Sequence, residues 1–177
     1  MEEIEFEKTY LAKEIPKGLE DCKFVEIFDI YLPKLANQPH LRIRKFGDRY
    51  EITKKEPIEK GDSSEQLEST IPLTKEEFED LTELEGQRFR KIRYYYKYEN
   101  RILEFDVFKD GLEGLIVVDV EFSTREEMDS FKMPSFCLVD VTQEIIIAGG
   151  KLAGQIYQNI ENDLKERFGY KKLVFKN

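Results

Sequence analysis

The stretch EIEFEKTYL, residues 3–11, decides how the rest of the chain is interpreted. Polar and apolar side chains alternate along it, which is the period of a β-strand and not of a helix. On such a strand Glu3, Glu5 and Glu7 share one face, because side chains two positions apart point the same way. Three neighbouring carboxylates repel one another. The acidic row therefore raises the question of what offsets its charge.

The composition is that of a folded chain of ordinary domain size. Of the 177 residues, 40% are hydrophobic and 12% are aromatic, which argues against disorder although 37% are charged. This length predicts a single domain over residues 1–177. No apolar run approaches the roughly 18–20 residues that a membrane-spanning helix needs, so we expect no membrane partner.

Cysteine, histidine and net charge argue against several kinds of site. Cys22 and Cys137 are too few for a disulfide framework or a thiolate zinc site, and we expect a reducing, cytoplasmic setting. His40 is the single histidine, which argues against catalytic triads and multi-histidine metal sites. The formal net charge of −9 argues against nucleic acid as a partner, although this sum does not describe the charges inside a cavity.

Most of the chain is predicted to form β-strands joined by turns. In addition to the opening strand and EQLESTI (65–71), strands are predicted over residues 23–32, 40–46, 49–55, 89–98, 101–108 and 114–122. Helices are predicted over 74–84 and 124–131, each starting with a Thr-x-x-Glu capping box, and over 149–169. About eight strands with few helices predict a mainly β fold: an eight-stranded antiparallel β-barrel with a few flanking helices.

Several predicted strands carry like charges two positions apart, opposite an apolar face. The pairs are Arg42 with Arg44, Lys91 with Arg93, Glu104 with Asp106, and Asp119 with Glu121. Alternation alone favours a solvated outer face for such charges. In the alternative, the apolar face packs under helices outside a barrel and the charges line its lumen. That lumen would suit a polyphosphate, with Arg and Lys binding phosphate oxygens and carboxylates binding Mg²⁺ or Mn²⁺.

The order of the motifs resembles the CYTH superfamily, the triphosphate tunnel metalloenzymes, which include class IV adenylate cyclases, thiamine triphosphatases and inorganic triphosphatases. The family opens with Glu-x-Glu-x-Lys, and EFEKTYLAKEIP (5–16) aligns with that opening without gaps. Its later motifs are resembled, in order, by LRIR (41–44), ITKKEP (52–57), KIRY (91–94), LEFDVF (103–108), GLIVVDVEF (114–122) and VDVT (139–142). No single motif is specific, but seven in the right order are, and they favour inward-facing charges.

The resemblance implies a tunnel that binds a small-molecule triphosphate together with Mg²⁺ or Mn²⁺. The phosphate-binding cations that it implies are Arg42, Arg44, Lys55, Lys91 and Arg93. The metal-binding carboxylates that it implies are Glu5, Glu7, Glu68, Asp106, Asp119 and Glu121. Glu5, Glu7 and Lys55 are the implied catalytic residues. A metal ion between Glu5 and Glu7 would offset the repulsion within the acidic row.

The chain departs from the family pattern at three positions that the family usually fills with charged residues. Thr9 stands where the family has the opening lysine, and Lys8 cannot replace it because it points to the other face. In the family's Arg-x-Glu-x-Glu strand, Ser64 and Gln66 replace the arginine and the first glutamate, and Glu68 is retained. Each lost charge-assisted hydrogen bond is worth roughly 1.5–3 kcal/mol. We therefore expect a shifted substrate or weakened catalysis.

These features lead to one main functional prediction and two alternatives. The main prediction is a metal-dependent hydrolase of inorganic tripolyphosphate, thiamine triphosphate or a nucleoside triphosphate. A class IV-type adenylate cyclase is the alternative within the same fold. A non-catalytic polyphosphate- or nucleotide-binding module is the alternative that the absent lysine and arginine favour. A lipocalin-like carrier of apolar ligands agrees poorly with so many inward charges. Either a monomer or a homodimer is compatible with these functions.

Overall fold

Nine strands and four helices make up the structure, a computed structural model that describes residues 2–37, 40–59 and 61–175. The strands are β1 Glu2–Ala12, β2 Phe24–Leu32, β3 Leu41–Phe46, β4 Arg49–Pro57, β5 Glu65–Leu73, β6 Gln87–Tyr98, β7 Arg101–Phe108, β8 Ile116–Phe122 and β9 Cys137–Asp140. The helices are α1 Lys75–Thr82, α2 Arg125–Ser130, α3 Gly149–Leu152 and α4 Tyr157–Phe168. In this part of the chain, no helix is both long and apolar enough to cross a membrane.

Eight of the strands close into an antiparallel barrel because β1 pairs on both of its edges. The strand order is β5-β4-β3-β2-β6-β7-β8-β1, and a further β5–β1 pairing closes the ring. Residues 2–6 of β1 pair with β5, residues 6–11 pair with β8, and residues 10–12 pair with the ninth strand, β9. The prediction of an eight-stranded antiparallel barrel with flanking helices is confirmed. The side chain of Glu3 lies outside the described part of the structure.

The outward faces of the strands are the apolar ones, and helices cover two parts of them. Under α1, Phe78 packs with Ile30 and Ile43 of β2 and β3. Under α2, Met128 belongs to a cluster with apolar residues of β1, β6, β7 and β8, among them Tyr10. Because side chains alternate along a strand, the charged face of each of these strands points into the barrel. The lumen alternative is therefore the correct one, and the outer-face alternative is wrong.

The segment after β9 closes one end of the barrel. A 3₁₀ turn at Ile145–Ile147 and helix α3 bring Ile147 and Leu152 against lumen-facing apolar residues of the strands, including Leu11 and Phe108. Helix α4 packs behind this plug through Tyr157, Ile160 and Leu164. The apolar end of the barrel is therefore part of the hydrophobic core, and the charged residues occupy the rest of the lumen.

The single helix predicted over residues 149–169 is wrong, because the segment forms α3 and α4 with a break at residues 153–156. Gly154 in the break has φ +75°, a left-handed conformation that ends helices and favours glycine. A Cβ at this position would lie 1.8 Å from Oε1 of Gln87. The break thus depends on contact with β6. The predicted capping box at Thr74 is confirmed, with hydrogen bonds in both directions between Thr74 and Glu77.

Candidate active site

All eleven residues predicted for the site line one cavity of about 510 Å³ inside the barrel. They come from seven of the eight barrel strands: Glu5, Glu7, Arg42, Arg44, Lys55, Glu68, Lys91, Arg93, Asp106, Asp119 and Glu121. The cavity is also lined by Thr142, Ile147 and Gly149, which belong to the segment after β9. One compartment thus contains every cation and carboxylate that the sequence singled out.

Lys55 offsets the charge of the acidic row on β1. Its Nζ lies 2.5 Å from Oε2 of Glu5 and donates a hydrogen bond of 3.0 Å to Oε2 of Glu7. Burial alone would raise the pKa of Glu7, but Lys55 outweighs burial and lowers this pKa. Conversely, burial opposes the charge of Lys55, but Glu7 and Glu5 raise its pKa. Glu7 and Lys55 therefore form an ionised pair at neutral pH, and Glu5 contacts the same ammonium.

The two arginines of β3 have different environments. Arg44 donates from Nε and Nη2 to the two carboxylate oxygens of Asp29, at 2.7 Å each, and Asp29 is fully buried. Burial alone would raise the pKa of Asp29, but Arg44 lowers it. Arg42 has no such partner: its Nε is buried without a hydrogen bond to any described residue, and its Nη2 is 3.8 Å from Glu68.

Asp106 on β7 is shared by the two cations of β6. Arg93 donates to both of its oxygens at 2.7 Å, and Lys91 contacts its Oδ2. These cations outweigh burial and hold the pKa of Asp106 well below its usual range. Burial, which the shared carboxylate offsets only in part, lowers the pKa of Lys91. Arg93 also contacts Glu104, the next inward residue of β7.

Carboxylates on β8 lie where few cations reach them. Burial, followed by Glu7 and Asp106, raises the pKa of Asp119 well above its usual range. At the more exposed position 121, loss of water around the carboxylate, followed by Glu104 and Glu7, raises the pKa of Glu121 to about 7. Glu7 and Glu121 are directly opposite each other in the β1–β8 register. This wall of the cavity therefore brings carboxylates close to one another.

The three departures from the family pattern lie in or beside the cavity. Thr9 lines it and donates a hydrogen bond of 2.9 Å to Oδ1 of Asp119. Gln66 also lines it and donates to the carbonyl of Ser63. The side chain of Ser64 instead donates to Asp62, outside the lining set. A neutral hydroxyl therefore stands beside Asp119 at the position where the family has an ammonium.

Several lining or supporting residues were not predicted. Glu104 shares the inward face of Asp106, and its i−2 spacing was a usable signal. Tyr31 lines the cavity and packs on Phe89 with ring centroids 5.8 Å apart. Asp29 gave no signal, because it is an isolated acid in the otherwise aromatic and β-branched part of β2. Its partner Arg44 lies on the next strand and is identified only from the register.

Carboxylate oxygens are the ligands that Mg²⁺ and Mn²⁺ prefer, and the crowded acids of β1 and β8 supply them. Among the described residues, however, no group of three His, Cys, Asp or Glu side chains is arranged to hold a metal ion. The ammonium of Lys55 lies against the two glutamates of β1. The donor chemistry therefore fits a hard divalent cation, and the side chains would have to rearrange to bind it.

Residues 2–133 match the CYTH domain family. The chain belongs to this family. The chain is also similar to an inorganic triphosphatase from Nitrosomonas europaea, with 32% identity over 142 residues, covering 79% of this chain and 90% of the relative. The predicted family membership is thereby confirmed, and the CYTH match covers all eight strands of the barrel in full.

Solved structures resemble the whole CYTH barrel. The crystal structure of an inorganic triphosphatase matches with a TM-score of 0.62 and 28% identity, covering 86% of this chain and 95% of that one. A Bacillus halodurans protein proposed to be an adenylate cyclase matches with a TM-score of 0.53 and 15% identity, covering 99% and 95% of the two chains. At this lower identity the second likeness concerns the fold alone.

Proposed function

We propose that this CYTH protein is a divalent-metal-dependent hydrolase of a triphosphate substrate bound in the barrel lumen. The observation that carries the proposal is the convergence of five cations and six carboxylates on one cavity. A relative that is 32% identical over most of its length is named an inorganic triphosphatase. Inorganic tripolyphosphate is therefore the substrate we propose first, ahead of thiamine triphosphate and nucleoside triphosphates.

In this proposal the cations hold the phosphates and offset the charge that develops during phosphoryl transfer. Arg44, Lys91 and Arg93 are oriented by buried aspartates before any ligand arrives. Arg42 is not so constrained and can follow an incoming phosphate oxygen. Lys55 reaches the phosphates only after leaving Glu5 and Glu7. The five cations thus differ in how firmly carboxylates hold them before a substrate binds.

The carboxylates of Glu5, Glu7, Glu68, Asp119 and Glu121 are the side chains we propose to hold Mg²⁺ or Mn²⁺. Such an ion supplies charge stabilisation for the phosphates and lowers the pKa of a bound water. Glu5 and Glu7 of β1 would hold the ion together with Glu121 of β8, which is directly opposite Glu7 in the strand register. Burial, followed by the neighbouring carboxylates of Glu104 and Glu7, raises the pKa of Glu121 to about 7, and this crowding of carboxylates supports the assignment.

The family resemblance assigns Asp106 to the metal, but its contacts favour a role in holding cations. Both of its oxygens accept hydrogen bonds from Lys91 or Arg93, and the side chain is 1% exposed. A metal ion at Asp106 would have to displace those charge-assisted bonds. We therefore propose that Asp106 orients Lys91 and Arg93. Its predicted metal role stays a prediction, which Mn²⁺ binding to D106N would test.

A non-catalytic binding module is the second candidate, and Thr9 is the observation that favours it. The cavity has a hydroxyl where the family has a lysine, so one cation is absent from the lumen. Such a cavity can still bind a polyphosphate through its remaining cations. Saturable binding without turnover would distinguish this candidate from the hydrolase.

The test is phosphate release from tripolyphosphate, thiamine triphosphate and ATP, each with Mg²⁺ or Mn²⁺, with cyclic AMP measured in parallel. We expect turnover of tripolyphosphate that requires metal and is lost in the E5A/E7A double variant. The matched control is E56Q on the exposed outer side of β4, which should keep the parent activity. No phosphate release with any substrate would contradict the hydrolase, and cyclic AMP in place of phosphate would identify a cyclase.

The proposal also covers the domain organisation, the oligomeric state, the size of the ligand and the cellular compartment. We propose that residues 1–177 act as one domain, as a monomer or within a homodimer. The lumen is surrounded by the barrel strands and closed at one end, which suits a small molecule and not a nucleic acid. Cys22 and Cys137 are both free, which suits a reducing compartment, and we propose the cytoplasm.

A further inference from the structure

Asp29 is a buried carboxylate that the proposed chemistry does not use directly. It lies on β2 directly opposite Arg44 of β3 in the strand register, and its exposed fraction is 0%. Its two oxygens accept hydrogen bonds from Nε and Nη2 of Arg44, both of 2.7 Å. A fork of this kind fixes the plane of a guanidinium as well as its position.

The fork leaves part of Arg44 available to a ligand. A guanidinium has five N–H groups, and Asp29 occupies two of them, so three remain. Arg44 lines the cavity, whereas Asp29 does not. Asp29 is therefore beside the arginine on the same inward face, and it has no surface exposed to the lumen. Its effect on a ligand would act through Arg44, because it sets the direction in which Arg44 presents its free N–H groups.

Arg42 shows that the barrel does not need such a partner merely to contain an arginine. It shares the inward face of β3 with Arg44, two positions away, and also lines the cavity. Its Nε has no hydrogen-bond partner among the described residues, and its nearest carboxylate, that of Glu68, is 3.8 Å away. On the same strand, the lumen thus holds one arginine with a two-point carboxylate partner and one arginine without such a partner.

We propose that Asp29 is a positioning residue, which orients Arg44 to bind a phosphate of the substrate. This inference rests on the proposed triphosphatase function. Fixed donors stabilise developing charge without having to reorganise during the reaction, and loss of that order reduces catalysis even when the charge stays. The competing explanation is structural: Asp29 only neutralises a buried arginine, so its loss would affect stability and not the phosphate site.

The experiment compares D29N and D29E with the parent protein, and uses D110N as a matched control. Asp110 also holds an arginine with two hydrogen bonds, of 2.8 and 2.9 Å from Arg90, but this pair is exposed outside the lumen. The readouts are kcat and KM for tripolyphosphate, calorimetric binding of tripolyphosphate, and the ¹⁵N-edited NMR signal of the Arg44 Nε–H. Activity is measured at a temperature where circular dichroism shows each variant to be folded.

We expect D29N to lose about 10–100-fold in kcat/KM, mostly in kcat, and to shift or broaden the Arg44 Nε–H signal. D110N should match the parent in all three readouts. In an R44K background the D29N change should have less than a twofold effect, because Asp29 acts through the arginine. If D29N does not fold, D29E provides the test. Its extra methylene group would shift the two hydrogen bonds to Arg44 while the negative charge is kept.

Either folded variant with kcat/KM within twofold of the parent would overturn the inference, and so would an undiminished D29N effect in the R44K background. Failure of the proposed function itself has a different signature. In that case the parent protein neither hydrolyses nor binds tripolyphosphate, and D29N cannot lower an activity that is absent.

Discussion

The ammonium of Lys55 lies 2.5 Å from a carboxylate oxygen of Glu5 and 3.0 Å from one of Glu7. Lys55 belongs to β4 and the glutamates to β1, so the side chain reaches past β5, which lies between them. It is the cation that offsets the acidic row of the first strand. Any metal ion that uses these two glutamates must therefore compete with Lys55.

Replacement of Lys55 by methionine should separate metal binding from turnover. Removing the competing ammonium should strengthen Mn²⁺ binding in the absence of substrate, measured by electron paramagnetic resonance. Tripolyphosphate hydrolysis should fall about 10–150-fold, the loss expected for one charge-assisted contact of roughly 1.5–3 kcal/mol. K54M, on the exposed outer face of β4, is the control and should change neither quantity. Weaker Mn²⁺ binding by K55M would contradict the competition.

Replacement of Thr9 by lysine should restore the cation that the family pattern has at this position. Thr9 now donates a neutral hydrogen bond to Asp119, whose pKa is raised by burial and by Glu7. An ammonium there would pair with Asp119 and add one cation to the lumen. We expect tripolyphosphate to bind about 10-fold more tightly to T9K, as measured by calorimetry. T9S keeps the hydroxyl and should bind tripolyphosphate as tightly as the parent does. If T9K also binds tripolyphosphate no more tightly than the parent, the prediction is wrong.

The buried pair of Asp29 and Arg44 should make the fold sensitive to acid. The folded-state pKa of Asp29 is lowered, so its ionised form stabilises the fold above its ordinary pKa of about 4. This contribution is lost as the pH falls through the folded-state pKa. D29N should lower the free energy of unfolding in urea by about 3–5 kcal/mol at pH 7. The difference from the parent should shrink below pH 4, and a constant difference would be contrary to expectation.

Glu121 should have the opposite effect on stability in the metal-free protein. Its folded-state pKa is raised from 4.5 to about 7, so the folded state keeps a proton that the unfolded state has released. Stability therefore falls as the pH rises from about 4.5 to 7. E121Q removes this effect and should be more stable, relative to the parent, at pH 8 than at pH 4. Urea unfolding with a chelator present measures how the stability difference between E121Q and the parent changes with pH. A difference that does not change between pH 4 and pH 8 would contradict the prediction.

Adding one methyl group at Gly149 should destabilise the segment after β9 that closes one end of the barrel, because Tyr31 lies close to Gly149. A Cβ at Gly149 would lie 2.1 Å from the hydroxyl oxygen of Tyr31 and 2.9 Å from its Cζ. Tyr31 is buried, so its ring has little room to move. We expect G149A to lose about 1–3 kcal/mol in the free energy of unfolding. The loss should be smaller in a Y31F background, where the closest atom is gone; an equal loss would place the strain elsewhere.

Much of the candidate site could be predicted because strand alternation is a local property. Glu5 and Glu7, Arg42 and Arg44, and the other i, i+2 pairs share a face wherever their strands lie, and their order along the chain matches the CYTH pattern. Asp29 has no charged neighbour at that spacing, so local pattern could not identify it. The break in the C-terminal helix was also missed, since it depends on contact between Gly154 and Gln87 of β6.

By itself, the sequence determined the strands, the residues that share a face on each of them, and the family. Only the tertiary structure decided which face is inside, because that depends on the closing β1–β5 pairing and on helices covering the apolar side. It also decided the partners of each charge: Lys55 with Glu7, Arg44 with Asp29, and Asp106 with both cations of β6. These pairs join residues 13 to 48 positions apart, and their strength depends on the loss of water inside the closed barrel.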